Sequence, residues 1–196
     1  MGPCQRSNLD GSCWIDLHRG WVHNHETVFA SLVDQTPWAQ ESITLFGRQV
    51  PQPRLTAWFG LGMDIRTRYR TTAPAEPWPP SIEALRRELQ GHTGVAFNSA
   101  LANLYRDGGD AVAWHADDEP ALGPAPVIAS VSFGAPRRFR LRRRDGSLTS
   151  EVTLGHGDLL IMGGETQRSW LHCVPRTKAI VGPRINLTFR AYTPPA

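Results

Sequence analysis

Asn103-Leu104-Tyr105-Arg106-Asp107-Gly108-Gly109-Asp110-Ala111-Val112-Ala113-Trp114-His115-Ala116-Asp117-Asp118-Glu119 is the stretch on which the reading of this chain turns. Leu101 to Arg106 reads as a strand that sets Asn103 and Tyr105 on one face. At its other end His115-Ala116-Asp117 places an imidazole and a carboxylate two residues apart. In an extended chain both point the same way. One more imidazole would complete a two-His-one-carboxylate set, which holds one face of an octahedron and suits Fe(II) with positions left open. An H-x-D pair alone is equally a polar surface pair at a strand end, so the rest of the chain has to decide.

Downstream, Trp170-Leu171-His172-Cys173-Val174-Pro175 supplies that imidazole, His172, on a short strand. In a double-layered barrel the intervening strands return the chain to the same end of the sheet. The strand Arg184-Ile185-Asn186-Leu187-Thr188-Phe189-Arg190 follows. With period two, Arg184, Asn186, Thr188 and Arg190 share a face, and Ile185, Leu187 and Phe189 turn to apolar packing. Two arginines with short polar groups between them form an anion clamp, because a guanidinium binds a carboxylate bidentately. A di-acid would match it.

Working outward, Val127 to Phe133 and Leu159 to Met162 read as apolar strands. Phe139 to Thr149 reads as a hairpin turning at Asp145-Gly146. Its arms carry Arg137, Arg138, Arg140, Arg142, Arg143 and Arg144, either a solvated face or an electrostatic footprint for a polyanion. His156, in the turn Gly155-His156-Gly157-Asp158, reads as structural. Ser81 to Gln90 is the clearest helix, with Ser81 as cap, Ile82, Leu85 and Leu89 as buried stripe and Gly91 as stop. A shorter helix runs from about Asn24 to Val33, burying Val28, Phe29, Leu32 and Val33. Residues 1–21 read as irregular around Asp10-Gly11. Ile43 to Arg48 is a strand running into an exposed turn, Pro51 to Arg54 a stiff connector, Leu55 to Gly60 a strand, and Ile65 to Arg70 an arginine-rich edge strand.

The 196 residues suit one domain, loop-rich with 18 Gly and 16 Pro and mainly β or α+β in class. Three cysteines without a CxxC indicate neither a disulfide framework nor a zinc finger. No run reaches membrane-span length and no secretory apolar core opens the chain, so the reading is cytoplasmic, with no membrane partner. A net charge of +3 raises the prospect of a nucleic-acid partner only slightly.

Taken together, N-x-Y-x-D-G at 103–108, W-H-x-D-D-E at 114–119, A-S-V-S-F-G at 129–134 and P-R-x-N-L-T-F-R at 183–190 resemble the AlkB family of Fe(II)- and 2-oxoglutarate-dependent dioxygenases, in particular its homologue 2-like DNA repair demethylases. The resemblance runs from Phe46 to Arg190 and implies a double-stranded β-helix (jelly roll) with flanking N-terminal helices. It implies residues 1–95 as an extension with a nucleotide-recognition lid and 96–196 as the catalytic core of a single domain. It also implies His115, Asp117 and His172 as ligands of Fe(II). Asn103, Tyr105, Arg184, Asn186, Thr188 and Arg190 would hold 2-oxoglutarate. Asp118, Glu119 and Tyr69 would face the substrate base. Phe46, Gly47, Arg48, Arg54, Arg176 and Lys178 would touch nucleic acid, with Phe46-Gly47-Arg48 as a finger that probes the duplex. The implied reaction is oxidative demethylation of 1-methyladenine- or 3-methylcytosine-type bases in DNA. It would convert 2-oxoglutarate and O2 to succinate and CO2, release formaldehyde, and be carried out by a monomer. The alternative is a 2-oxoglutarate dioxygenase acting on RNA, a protein or a small molecule. Two positions depart from the family pattern: Ala116 stands where the subgroup often has Arg, and the lid reads Trp58-Phe59-Gly60-Leu61 before the arginine-rich segment.

Overall fold

The computed structural model describes residues 3–45, 47–60 and 76–193. Phe46, Tyr69 and the strand read over Ile65 to Arg70 lie outside the described residues. The elements follow in chain order: β1 (Gln5–Asp10), β2 (Cys13–His18), α1 (His25–Gln35), β3 (Ser42–Leu45), β4 (Arg48–Pro51), β5 (Leu55–Gly60), α2 (Pro80–Thr93), β6 (Ser99–Tyr105) and β7 (Val112–His115). Then come β8 (Ile128–Gly134), β9 (Arg137–Arg143), β10 (Thr149–Leu154), β11 (Leu159–Gly163), α3 (Thr166–Ser169), β12 (Trp170–Val174) and β13 (Arg184–Arg190).

Two antiparallel sheets face each other. The larger has the order β1-β2-β11-β8-β13-β6-β5 and the smaller β10-β9-β12-β7, while β3 and β4 form a separate hairpin. This is the jelly-roll arrangement expected. Strand β13, inside the larger sheet, pairs with β6 on one side and β8 on the other, with Asn186 opposite both Asn103 and Ser132. All seven of its residues are buried. Its apolar face, Ile185, Leu187 and Phe189, packs under α1 and α2 through Val28, Leu32, Ile82, Leu85 and Leu89. Its polar face therefore turns into the space between the sheets. A strand buried on both sides tolerates polar side chains only where something inside satisfies them.

Several local readings shift. Residues 5–18 are a hairpin, not irregular chain: β2 pairs with β11 and delivers Cys13, Ile15 and Leu17 to the inter-sheet core. Its partner lies far downstream, so no local pattern announces it. Together with β5, this puts three strands from the first 95 residues into the larger sheet. Helix α2 starts at Pro80, whose missing N–H costs nothing in a first turn. It runs through Gly91 and stops at Gly94, whose φ of 74° suits the left-handed cap. Val33 is 46% exposed, because it sits about 100° around α1 from Leu32, past the buried stripe.

The arginine hairpin divides into inner and outer positions. Arg137 is buried and donates to the carbonyls of Asp107, Asp110 and Pro175, so it staples the β6–β7 loop to the end of β12. Arg140 pairs with Glu151, and Arg143 with Asp10 and Asp145. The turn at Asp145-Gly146 forms as read, with Gly146 at φ 78°. Among the described residues no helix is long and apolar enough to cross a membrane.

Candidate active site

Strands β7 and β12 pair with His115 directly opposite His172, which brings the two rings to 4.3 Å between centroids. Asp117, two residues on, completes a group whose nitrogen and oxygen donors all lie within 4.8 Å of one another. The Nδ1 of His115 lies 2.8 Å from the Ala113 carbonyl, so Nδ1 carries the proton and Nε2 keeps its lone pair. His172 lies nearly parallel to the Phe139 ring, 5.2 Å away, which fixes its plane. Asp117 is held at two atoms. Its backbone N–H donates to Gln167 Oε1 at 2.9 Å, and its Oδ1 accepts from Arg190 Nη2 at 2.6 Å. The other oxygen, Oδ2, is buried without a hydrogen-bond partner, 4.0 Å from His172 Nε2.

The protonation states fit a divalent cation. Burial alone would lift the Asp117 carboxyl, but Arg190, with His172 and His115, outweighs it and holds the group at about 2. Burial drives His172 down to about 3, His115 adding to the shift and Asp117 opposing it. Burial lowers His115 as well. At neutral pH the group is one carboxylate and two neutral imidazoles, the forms that ligate metal. An unfolded histidine takes up a proton near 6.5, whereas folded His172 does so only near 3. The unfolded chain therefore binds more protons below about pH 6.5, and stability falls as pH drops through that window. Thermal unfolding of metal-free protein from pH 8 to 4 should show this decline, with a flatter profile for His172→Gln. A profile level down to pH 4 would contradict neutral burial of the pair.

Beside this group, a narrow cavity is lined by Asn103 and Tyr105 of β6, Ser130 of β8, and Arg184, Asn186, Thr188 and Arg190 of β13. Arg184 is 1% exposed; its Nη2 donates to Ser132 Oγ at 2.9 Å, and its Nε and Nη1 have no partner. Arg190 likewise leaves Nε and Nη1 without partners. Buried guanidinium donors without acceptors are costly, and a bound carboxylate at each would satisfy them. Between the arginines, Asn186 donates to Ser130 Oγ and accepts from Thr188 Oγ1, so these two form the cavity floor. Arg184 and Arg190 thus sit toward opposite ends of a polar slot, with Arg190 at the Asp117 end, which matches a di-acid one end of which lies beside the metal group.

A wider cavity of about 300 Å³ opens on the other side of His115, Asp117 and Arg190. Trp58, Trp114, Ile43 and Val50 give it apolar walls, so the β3–β4 hairpin carrying Gly47 and Arg48 borders its mouth. Arg54 stands where the cavities meet and donates through Nε to Asn103 Oδ1 at 2.8 Å. This inward bond is not visible from the Pro-rich connector that carries it. Glu119 lines the wide cavity, with its Oε2 buried and unpartnered, and burial raises its carboxyl pKa. Asp118 turns elsewhere, pairing with Arg144 at 2.8 Å. Arg176 and Lys178 are exposed on the loop after β12, whose Thr177 N–H donates to the Gly108 carbonyl. Added at Gly108, a Cβ would run into the Thr177 carbonyl oxygen, so this close approach requires glycine.

Sequence reasoning gave no role to Trp58, Trp114, Phe139, Ser132 or Gln167. Trp114 and Ser132 stood inside the motifs at 114–119 and 129–134, and Trp58 opened the lid stretch, so these three could have been marked. The others become site residues only through pairing between distant strands. A second cluster, His25, Glu26 and His156, also has donors within reach of one ion. There the Gly134 N–H donates to His156 Nδ1 at 3.1 Å, so Nε2 carries the proton, 3.3 Å from Glu26 Oε1. That tautomer has no lone pair for a cation, and His156 is structural.

A jelly roll with a His-Asp-His face beside two buried arginines defines a 2-oxoglutarate-dependent oxygenase. The sequence model of the 2OG-Fe(II) oxygenase superfamily matches residues 20–190, and the chain belongs to that superfamily and, within it, to the AlkB family. It is 43% identical over 178 residues to alpha-ketoglutarate-dependent dioxygenase alkB homolog 3 of Bos taurus, covering 86% of this chain and 62% of that protein. The Homo sapiens protein of the same name is 41% identical over 191 residues, covering 92% and 66%. DNA oxidative demethylase ALKBH2 of Mus musculus is 39% identical over 164 residues, covering 80% and 69%. The chain thus spans roughly two thirds of the length of these curated relatives. The solved structure of OsALKBH1 superposes with a TM-score of 0.63 at 20% identity, covering 97% of this chain and all of that one, a likeness of fold.

Proposed function

We propose that this chain is an oxidative demethylase of N-alkylated bases in DNA, of the 1-methyladenine and 3-methylcytosine type, which uses Fe(II), 2-oxoglutarate and O2. The observation that carries the reading is the junction of two cavities at His115, Asp117 and Arg190: a narrow slot flanked by Arg184 and Arg190 on one side, and a wide space walled by Trp58 and Trp114 on the other. Relatives named as DNA oxidative demethylases support the choice of substrate.

In this reading His115 Nε2, Asp117 Oδ2 and His172 Nε2 hold the iron. Arg184, with Tyr105, takes the far carboxylate of 2-oxoglutarate, and Arg190, with Asn103, takes the carboxylate next to the metal, over the floor of Asn186 and Thr188. When bound, iron with 2-oxoglutarate and O2 supplies oxidation of the methyl group, giving succinate, CO2 and formaldehyde. The protein's part is placement and exclusion of water. Trp58 and Trp114 offer flat faces for a base turned out of its stack. Glu119 offers its unpartnered oxygen to a base amino group, Tyr69 is assigned to the same base, and Asp118, paired with Arg144, steadies the chain between Asp117 and Glu119. The turn at Phe46, Gly47 and Arg48, together with Arg176 and Lys178, follows the backbone, and Arg54 links the base space to the co-substrate slot. A monomer working as one domain, with 1–95 framing the base and 96–196 carrying the chemistry, completes the proposal.

Anaerobic reconstitution with Fe(II) and 2-oxoglutarate, then O2 and an oligonucleotide bearing 3-methylcytosine, tests it. Formaldehyde with restored cytosine is expected, and neither should form with His172→Ala. Succinate without demethylation of DNA would move the substrate to RNA, protein or a small molecule.

A further inference from the structure

Gln167 is an unusual residue to find where it is. It lies in the short helix α3 between β11 and β12 and is 1% exposed. Its Oε1 takes the Asp117 N–H at 2.9 Å, which forces Nε2 toward Met162 Sδ at 3.4 Å. A thioether is a weak acceptor, so the amide makes one strong bond in a place that an aliphatic side chain of equal volume would fill without desolvating a polar group. What that bond fixes is the backbone of Asp117. Arg190 fixes the same residue at Oδ1, and the two restraints leave Oδ2 as the one carboxylate oxygen without a hydrogen bond, on the His172 side.

The helix that carries Gln167 is itself tied down from the arginine hairpin. Arg144 donates through Nε to the Arg168 carbonyl, and through Nη2 to the Gln167 carbonyl at 3.3 Å and to Asp118 Oδ2 at 2.8 Å. One guanidinium therefore spans the helix and the residue next to Asp117. We propose that Gln167, kept in place by Arg144, is a positioning residue that aims the Asp117 carboxylate at the metal. The proposal rests on the reading of His115, Asp117 and His172 as the iron ligands. A contact that merely anchored the loop would leave metal binding unchanged when replaced.

The test uses Gln167→Leu, which keeps the volume and removes the acceptor, and Arg144→Met, which alters a side chain 43% exposed and leaves the core intact. Fe(II) affinity is measured anaerobically, together with the visible charge-transfer absorption of the Fe(II)–2-oxoglutarate complex and thermal unfolding of metal-free protein. Gln167→Leu should weaken Fe(II) binding by roughly 10- to 100-fold, the range found when a partner that orients a ligand is lost. It should also shift or weaken the absorption band, and Arg144→Met should do the same to a smaller degree. Wild-type affinity and band in both variants would overturn the proposal. If Gln167→Leu does not fold, unchanged Fe(II) affinity in Arg144→Met overturns it alone. Asp117→Ala keeps the two readings apart: undiminished Fe(II) binding there would remove the triad itself, whereas loss there with retention in Gln167→Leu would remove only the positioning role.

Discussion

Asp117→Ala is expected to abolish turnover and Fe(II) binding, and also to destabilise the metal-free protein by about 3–5 kcal/mol. The two losses have different origins. Binding fails because one of three convergent donors is gone. Stability falls because Arg190, 4% exposed, loses the carboxylate that its Nη2 bonds and remains as a buried charge over the Trp58 ring, with only the more distant Glu119 and the Tyr192 hydroxyl among the described residues to offset it. Asp117→Asn keeps the shape and one carbonyl acceptor, so it should lose the metal but less of the stability. Because 2-oxoglutarate carries a carboxylate suited to Arg190, it should restore part of the lost stability to Asp117→Ala. Denaturant unfolding with and without the di-acid reads all three effects. An unchanged midpoint for Asp117→Ala would mean that Glu119 alone suffices as counter-charge for Arg190 and that the slot is not built around the Asp117–Arg190 pair.

Arg184→Met is expected to separate binding from stability in the opposite direction. No carboxylate among the described residues faces Arg184; its neighbours are Ser132 Oγ and the Tyr105 ring, 5.2 Å from the guanidinium carbon. Burial lowers its pKa, yet arginine stays charged, so the metal-free protein carries an uncompensated buried cation. Replacing it with an apolar side chain of similar length should leave metal-free stability unchanged or raise it. In the proposed reading the same change removes two charge-assisted hydrogen bonds to the co-substrate, each worth roughly 1.5–3 kcal/mol, so KM for 2-oxoglutarate should rise by about two orders of magnitude or more. In the wild type, 2-oxoglutarate at 100 times its Kd should stabilise the fold by about 2.7 kcal/mol, a gain the variant should lack at that concentration. A wild-type KM in Arg184→Met would sink the assignment of Arg184 to the far carboxylate.

The strand 184–190 shows how much of this was legible. Its alternation separated Ile185, Leu187 and Phe189 from Arg184, Asn186, Thr188 and Arg190, and the structure keeps that division. Period two is a local property of extended chain, so it survives whatever the strand pairs with. The stripe of α2 survives for the same reason, whereas Asp117 lies just past the end of β7 and is set by Gln167 and Arg190. The first hairpin was missed because β2 is made a strand by β11, a partner set by the whole sheet. The reading of Arg137 to Arg144 as one charge run failed similarly: alternation sent Arg137 inward to three carbonyls, and only the fold supplies those carbonyls.

By itself, then, the sequence determined the two-residue spacing of His115 and Asp117 and the side of β13 on which Arg184, Asn186, Thr188 and Arg190 lie, because residue type and two-residue periodicity are written along the chain. Tertiary structure alone decided that His172 lies opposite His115, that Arg54 bonds inward to Asn103, and that Asp118 leaves the cavity for Arg144 while Glu119 stays. It also decided that Gln167, from a four-residue helix with no motif of its own, meets the Asp117 backbone. Each of these depends on strand register and loop closure between segments far apart in the chain. Register is fixed by the burial of whole faces at once, and no single stretch contains that information.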